Sequence, residues 1–278
     1  MKKRLLFWGI LALFVLTECQ EEQKNVPNAL GLKGNVKTLH SQTYDASVVF
    51  DNVMEERIWN EFYNFNRNGG LTEQRSYDID NRLSSRSVHK YENGICVKET
   101  NFNQEGEVSG VNVNVYDGNG NKKEEVRHDE NGNVSDLYSY EYDRNGRQCE
   151  YKHTRANGEL VFRRVYEYNK SGNLVAEIDY NEKNEEFSKK VSVYNADGQI
   201  VESGHYHRGM LSYKVLFEYD DKGLLVSSLT IPYEDKLLAE AKCVYEYDDH
   251  GNWVTETIFD VKKDQVRFIT RREIVYYE

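Results

Sequence analysis

The sequence lacks an excess of positive charge. Its 47 Asp and Glu residues outnumber its 36 Lys and Arg residues, which gives a formal net charge of −11 at pH 7. Because a protein needs a basic face to bind nucleic-acid phosphates, this balance argues against a nucleic-acid partner. It favours solubility and a neutral or cationic partner.

The sequence also has few of the residues that build helical bundles. It is poor in Ala and Leu and contains only two Pro, but it has 21 Tyr and 19 Gly residues. Strands favour Tyr and turns favour Gly. An aromatic content of 13% is too high for a disordered chain. The composition therefore predicts an all-β fold.

Sequence signatures of catalysis are absent as well. The chain contains no nucleophile elbow, phosphate-binding loop or catalytic-triad motif, and its carboxylates form no recognisable acid–base pair. No spacing of Cys and His matches a zinc site. We therefore predict a protein that is not an enzyme and that has no cofactor and no metal site.

Two kinds of motif resemble parts of metal sites. Asp117–Asn121 and Asp129–Asn133 look like fragments of calcium loops, but they lack the long acidic ligand set of an EF-hand. His205 and His207 share one strand face as a metal half-site, but the sequence offers no third ligand. Turn closure and a surface strand explain these residues without a metal.

The N-terminus has the layout of an export signal. Basic residues at 2–4 precede Leu5–Leu16, an apolar run that is too short to span a bilayer as a helix. Leu16–Cys19 then resembles a bacterial lipoprotein box, in which the Cys is lipidated. Glu18 departs from that pattern, because a small residue normally precedes the Cys. We predict a signal peptide at 1–19 with lipidation of Cys19, and a simple cleaved secretion signal is the alternative.

This N-terminus also predicts a location. A lipidated Cys19 anchors the exported protein in the outer membrane or at the cell surface, whereas an unlipidated protein is periplasmic or secreted. Residues 20–32 read as a polar tether, and residues 33–278 as the folded domain. Beyond Cys19, the three cysteines Cys96, Cys149 and Cys243 allow at most one disulfide, and we expect buried or half-buried free thiols.

Most of the chain repeats one unit of about 26 residues. Gly146 and Gly172 are 26 residues apart, and Gly158 divides that interval. Segments such as Leu174–Tyr180 alternate apolar and polar residues, as half-buried strands do. One class of turn is predicted at Gly69, Gly94, Gly120, Gly146, Gly172, Gly198, Gly223 and Gly251. A second class is predicted between them at Asn81, Gly106, Gly132, Gly158, Asn184, Gly209, Leu237 and Lys263.

These turns predict a long, curled antiparallel meander sheet of about 17 strands, with no helix after residue 20. The first strand is expected at Val36–Tyr44, an irregular connection at Asp45–Glu56 and the next strand at Ile58–Phe65. Such an open sheet has two exposed edges. We expect the tether and the Asp45–Glu56 connection to cover the first, and Lys262, Lys263, Arg271 and Arg272 to protect the last.

The repeated pattern Y-x-Y-D-x-x-G, at Tyr140–Arg147, Tyr245–Asn252 and, with Asn169 in place of Asp, Tyr166–Asn173, resembles the YD repeat of Rhs-type proteins. The segments Gly31–Lys37 and Tyr247–Trp253 also look like those of a family of small YD-repeat lipoproteins. The resemblance implies a β-repeat fold and, because that family is often labelled sugar-binding, a carbohydrate ligand.

The function predicted from these observations is non-enzymatic binding in the cell envelope, with a glycan or a protein as ligand. The candidate ligand-binding residues are Trp59, His205, Tyr206, His207 and Trp253. Most Tyr residues are expected to pack across strands instead. Two alternatives stay open: a structural scaffold within an envelope complex, and a hydrolase with two close carboxylates in a deep pocket.

Overall fold

The computed structural model describes residues 30–49, 52–233 and 239–278. These residues form strands and turns, and none of them is helical. Within the described part of the chain, no helix is long and apolar enough to cross a membrane. The predicted signal peptide, Cys19 and tether residues 20–29 lie outside the described residues.

The chain divides into two compact units. Unit 1 comprises residues 1–84 and 239–278, and therefore combines the two ends of the chain. Its strands pair antiparallel in the order β16, β17, β18, β1, β2, β3. They are β1 (Val36–Val49), β2 (Asn52–Phe65), β3 (Leu71–Tyr77), β16 (Ala239–Tyr247), β17 (Trp253–Asp260) and β18 (Gln265–Tyr276).

Unit 2 comprises residues 85–238 and is a meander in which the described neighbours pair antiparallel. Its strands are β4 (Leu83–Glu92), β5 (Ile95–Phe102), β6 (Val108–Tyr116), β7 (Lys122–His128), β8 (Val134–Tyr142), β9 (Gln148–Arg155), β10 (Leu160–Tyr168), β11 (Leu174–Tyr180), β12 (Glu186–Tyr194), β13 (Ile200–His207), β14 (Met210–Tyr219) and β15 (Leu225–Pro232).

The prediction of an open sheet with free first and last strands is wrong. β1 pairs with β18 along a ladder that runs from Val36 opposite Tyr276 to Asp45 opposite Phe268. β18 also pairs with β17, so Arg271 and Arg272 lie in a doubly paired strand rather than at an exposed edge. The prediction of an all-β antiparallel fold is confirmed, with eighteen strands in the described residues.

The first hairpin also differs from the prediction. β1 continues to Val49 and β2 begins at Asn52, so most of the expected Asp45–Glu56 connection is paired strand. A β-bulge interrupts this ladder, because Thr43 pairs with Trp59 whereas Tyr44 pairs with Arg57. The bulge shifts the alternation of apolar and polar residues by one position. Because of this shift, the strand does not show a continuous period-2 pattern in the sequence.

The predicted turn chemistry is confirmed where the structure describes it. Every predicted turn glycine has a positive φ, as do Asn81 and Asn184. Asp143 illustrates the closure, because its Oδ1 accepts hydrogen bonds from the amides of Asn145 and Arg147. The last turn is shifted by one residue, since Asp264 rather than Lys263 has the positive φ. The predicted turn at Leu237 lies outside the described residues.

The second Tyr of the repeat closes one end of five hairpins in unit 2. The hydroxyl of Tyr142, the last residue of β8, donates to the carbonyl of Lys122, the first residue of β7, at 2.9 Å. The same bond recurs from Tyr116 to Cys96, from Tyr168 to Gln148, from Tyr194 to Leu174 and from Tyr219 to Ile200. These tyrosines are therefore structural.

The core of unit 1 includes residues that the sequence assigned to the tether. Leu32 is 5% exposed and clusters with Val36, Leu39, Phe65 and Leu71, and Leu30 packs against that cluster.

The thiols of Cys96, Cys149 and Cys243 are free, as predicted, and that of Cys243 is buried.

We expect Tyr142→Phe and Tyr168→Phe each to lower the free energy of unfolding by about 1 kcal/mol, because each removes one hydrogen bond to a backbone carbonyl. Denaturant titration of the single and double variants measures this. Tyr233→Phe is the control, since Tyr233 is 71% exposed. An equal effect of all three substitutions would contradict a structural role for the repeat tyrosines.

Candidate functional site

One face of unit 2 carries a row of aromatic rings, which we call the aromatic row: Tyr138, Tyr140, Tyr151, His153 and Phe162. Tyr138 lies directly opposite His153 and Tyr140 opposite Tyr151, so their side chains share one face of the sheet. The Tyr138 and His153 rings stack with centroids 4.6 Å apart, and Tyr151 lies 5.5 Å from Tyr140. All five side chains are half-buried, so each ring keeps part of its surface accessible.

The same face continues into a charged row formed by Arg164, Glu177, Asp179, Lys190 and His205. Tyr151 lies opposite Arg164, Arg164 opposite Asp179, Glu177 opposite Lys190, and Lys190 opposite His205. The register therefore joins the two rows, and we call them together the tyrosine face.

Ion pairs hold the charged row in place. Arg164 donates to both carboxylate oxygens of Asp179, at 2.6 and 3.1 Å, and lies 3.6 Å from Glu177. Lys190 donates to Glu177 at 3.0 Å. Burial lowers the pKa of Arg164, but its hydrogen bonds to Asp179 and the charges of Asp179 and Glu177 together outweigh burial and raise the pKa. The row thus presents fixed, alternating charges beside the aromatic rings.

His205 lies at the end of the charged row as a neutral ring. It stacks on Tyr213 with centroids 4.4 Å apart and shares a hydrogen bond of 3.2 Å with Ser203. Burial, together with the nearby Lys190 ammonium, lowers its pKa to about 4. His205 is therefore uncharged at neutral pH.

The other two residues of the predicted His205–His207 site have different surroundings. Tyr206 lies on the opposite face and its ring covers Gly204, where a Cβ atom would be only 3.1 Å from Cε2. His207 is exposed at the end of β13. No group of three His, Cys, Asp or Glu side chains in the described ranges is arranged to hold a metal ion.

The two predicted tryptophans belong to unit 1. Trp59 lies at the bulge of β2 and is 55% exposed, so it is available for contact with a ligand. Trp253 is half-buried, and the Arg272 guanidinium lies 3.3 Å from its ring centroid. One face of the Trp253 ring is therefore covered by the protein itself.

Arg272 is part of a polar cluster that sequence reasoning missed. The Arg272 cluster consists of Arg272, Trp253, Glu256, Tyr245, Glu61 and Tyr63. Tyr245 donates to Glu256 at 2.9 Å, and Tyr63 donates to Glu61. The register explains the cluster, because Glu61 pairs with Ser41 and Ser41 pairs with Arg272. Only the unpredicted pairing of β1 with β18 brings these side chains to one face.

Burial dominates the electrostatics of this cluster. It raises the pKa of Glu256 despite the hydrogen bond from Tyr245 and the charge of Arg272. It also lowers the pKa of Arg272 to about 10, so the guanidinium is still protonated at neutral pH. Burial raises the pKa of Tyr63 and Tyr245 as well, which makes both hydroxyls hydrogen-bond donors rather than anions.

Cys96 and His89 are the closest thiol–imidazole pair in the part of unit 2 that the structure describes, with Sγ and Nδ1 3.9 Å apart. A catalytic Cys needs a thiolate, which a neighbouring imidazolium stabilises. Here burial raises the pKa of the Cys96 thiol and lowers the pKa of His89. Both groups are therefore neutral, and the pair is poorly suited to nucleophilic catalysis.

No protein-family model and no curated protein matches the chain. Among solved structures, a porin-like protein from Bacteroides uniformis ATCC 8492 aligns with a TM-score of 0.50 and 11% identity, over 87% of this chain and 99% of that chain. At that identity the likeness concerns the fold alone. It agrees with the all-β antiparallel fold described above.

Two further structures align more weakly. TcdB2-TccC3-TEV has a TM-score of 0.34 and 10% identity, over 81% of this chain and 15% of that chain. A DUF1329 family protein from Desulfovibrio piger ATCC 29098 has a TM-score of 0.26 and 10% identity, over 87% of this chain and 86% of that chain. These likenesses are too weak to support an argument about fold or function.

We expect His205→Gln to reduce the loss of stability between pH 7 and pH 4. The pKa of His205 is lower in the folded state than in the unfolded state, where it is near 6.5. This difference stabilises the fold above pH 6.5, and the contribution disappears as the pH falls toward about 4. After allowance for partial exposure, the difference from wild type should be about 1–2 kcal/mol.

Denaturant titration across that pH range measures the effect. His207→Gln is the matched control, because His207 is exposed on the same strand and should leave the wild-type pH dependence unchanged. Parallel curves for wild type and His205→Gln would contradict a buried, neutral His205.

Proposed function

We propose that the protein is an exported, lipid-anchored envelope protein that binds a carbohydrate, without chemical change, on the tyrosine face of unit 2. The observation that carries the proposal is the adjacency of the aromatic row and the charged row on one face. Tyr151 lies directly opposite Arg164, so a ring and a fixed guanidinium stand side by side.

This combination suits the chemistry of sugars. The apolar face of a sugar ring packs on an aromatic ring, while its hydroxyls exchange hydrogen bonds with fixed polar groups. Tyr138 and Tyr151 supply half-buried rings. Asp179 and Glu177 accept hydrogen bonds, and Arg164 holds both carboxylates in position. Fixed groups of this kind lose little entropy when a ligand binds.

The proposed location rests on the N-terminus. The export-type signal, the lipoprotein-like box ending at Cys19 and the resemblance to small YD-repeat lipoproteins all support an envelope protein. The likeness in fold to a porin-like protein is consistent with that location. The proposed anchor is a lipid on Cys19, with release to the periplasm or medium if Cys19 is not modified.

A scaffold role is the second candidate, and a different surface favours it. Leu137 alternates with Asp136 and Tyr138, so it points away from the tyrosine face. Leu137 is 37% exposed, and Val113 and Val115 of the nearby β6 are 36% and 42% exposed. Exposed apolar side chains on neighbouring strands suit a protein partner. A hydrolase stays the third candidate, and the acidic groups on this face include Glu177, Asp179 and Asp136.

We expect the purified exported protein to bind a subset of envelope, host or dietary glycans on an array. Tyr138→Leu should weaken that binding at least fivefold, or about 1 kcal/mol, because it removes an aromatic surface and leaves the charged row intact. Tyr233→Leu is the control, since Tyr233 is exposed in the turn after β15. Thermal unfolding of each variant shows whether it is folded.

The outcomes separate the three candidates. Binding that survives Tyr138→Leu but is lost with Tyr233→Leu would contradict the proposed face. If the wild type binds none of the three glycan sets but has a stoichiometric protein partner in pull-downs, the scaffold role replaces the carbohydrate proposal. Shortened oligosaccharides after incubation with the protein would indicate a hydrolase.

A further inference from the structure

Two consecutive arginines of β18 have contrasting environments. Arg271 donates to both carboxylate oxygens of Glu55, at 2.6 and 2.8 Å. Arg272 points to the other face, where its Nε is buried and has no hydrogen-bond partner among the described residues. A buried N–H group without an acceptor is costly, so the Nε–H of Arg272 calls for an acceptor from outside the chain.

The neighbouring carboxylates do not supply this acceptor in the structure, because they hydrogen-bond to other donors. Glu61 accepts from Tyr63, Gln74 and Ser76. Glu256 accepts from Tyr245. Glu256 acts on Arg272 through its charge rather than through a hydrogen bond.

The guanidinium is also held in a defined orientation. It lies 3.3 Å from the centroid of the Trp253 ring, so one of its flat faces is packed on the indole. A stacked guanidinium still presents its N–H groups at the edge, in a fork that matches two coplanar oxygens. Arg272 as a whole is half-buried, so part of the residue is accessible to solvent.

We infer that Arg272 is the centre of a binding site for a monocarboxylate, such as the carboxylate of an acidic sugar. A carboxylate fits the planar fork and accepts two hydrogen bonds from it. A monoanion suits the site better than a dianion, because Glu61 and Glu256 flank Arg272 and repel negative charge. All of these residues belong to unit 1, so the inference does not depend on the tyrosine face of unit 2.

The test is calorimetric titration of the purified exported protein with glucuronate, with glucose as the neutral analogue and with inorganic phosphate. We expect glucuronate to bind with a Kd of about 1 mM or tighter and to raise the melting temperature. Arg272→Lys should weaken this binding at least tenfold, because an ammonium lacks the fork. Arg271→Lys is the matched control, and it should bind glucuronate as the wild type does.

Several results would overturn the inference. These are an absence of glucuronate binding to the wild type, an equal affinity for glucose, tenfold tighter binding of phosphate, or an equal loss in both lysine variants. The melting-temperature shift of the wild type provides a readout that needs no variant, in case Arg272→Lys fails to fold. If glucose binds and Arg272→Lys does not change that binding, the glucose is assigned to the tyrosine face. The proposal for the tyrosine face and the inference for Arg272 can therefore be told apart.

Discussion

The pairing of β1 with β18 is the constraint on which unit 1 depends. It joins the two ends of the chain through a continuous antiparallel ladder and leaves neither strand as an edge. Unpaired strand edges are a hazard for association and aggregation, and closure removes that hazard without protective charges. The same ladder turns Arg272 from a surface residue into the centre of a buried cluster. Closure therefore determines both the stability of unit 1 and its chemistry.

In unit 2 the residues that recur in the repeat have structural roles. In five repeats of unit 2 the second Tyr donates to a backbone carbonyl, the Asp or Asn closes its own turn, and the Gly supplies the positive φ. These residues have little capacity left for a ligand. What varies between repeats is the set of side chains on the strand faces, such as Tyr151, Arg164 and Glu177. The proposed recognition therefore rests on those variable positions.

Much of the fold was predictable from local chemistry. Turn glycines and the alternation of Leu174–Tyr180 are local signals, and the observed β11 has the predicted bounds. The β1–β2 hairpin was missed because a bulge near Trp59 breaks the alternation. Asp264 replaced Lys263 at the last turn, since the C-terminal turn lacks a glycine to mark its position.

The candidate site was predictable only in part. His205 and Trp253 were selected by residue type, and both have aromatic or cationic neighbours. Their roles depend on cross-strand partners such as Tyr213 and Arg272, which a single sequence does not reveal. Tyr206 was selected for the same reason, but its ring covers a glycine. Burial and pairing across strands, rather than residue type, decide which aromatic side chains are available to a ligand.

The pairing of β1 with β18 is the central claim, and amide hydrogen exchange in these two strands tests it most directly. In a strand paired on both sides, consecutive amides all donate to a neighbour, whereas in an edge strand every second amide faces solvent. We predict uninterrupted protection from Leu39 to Thr43 and from Phe268 to Arg271, the segments paired on both sides, comparable to that of β10. Rapid exchange of alternate amides in either segment would show a free edge and contradict the closed arrangement.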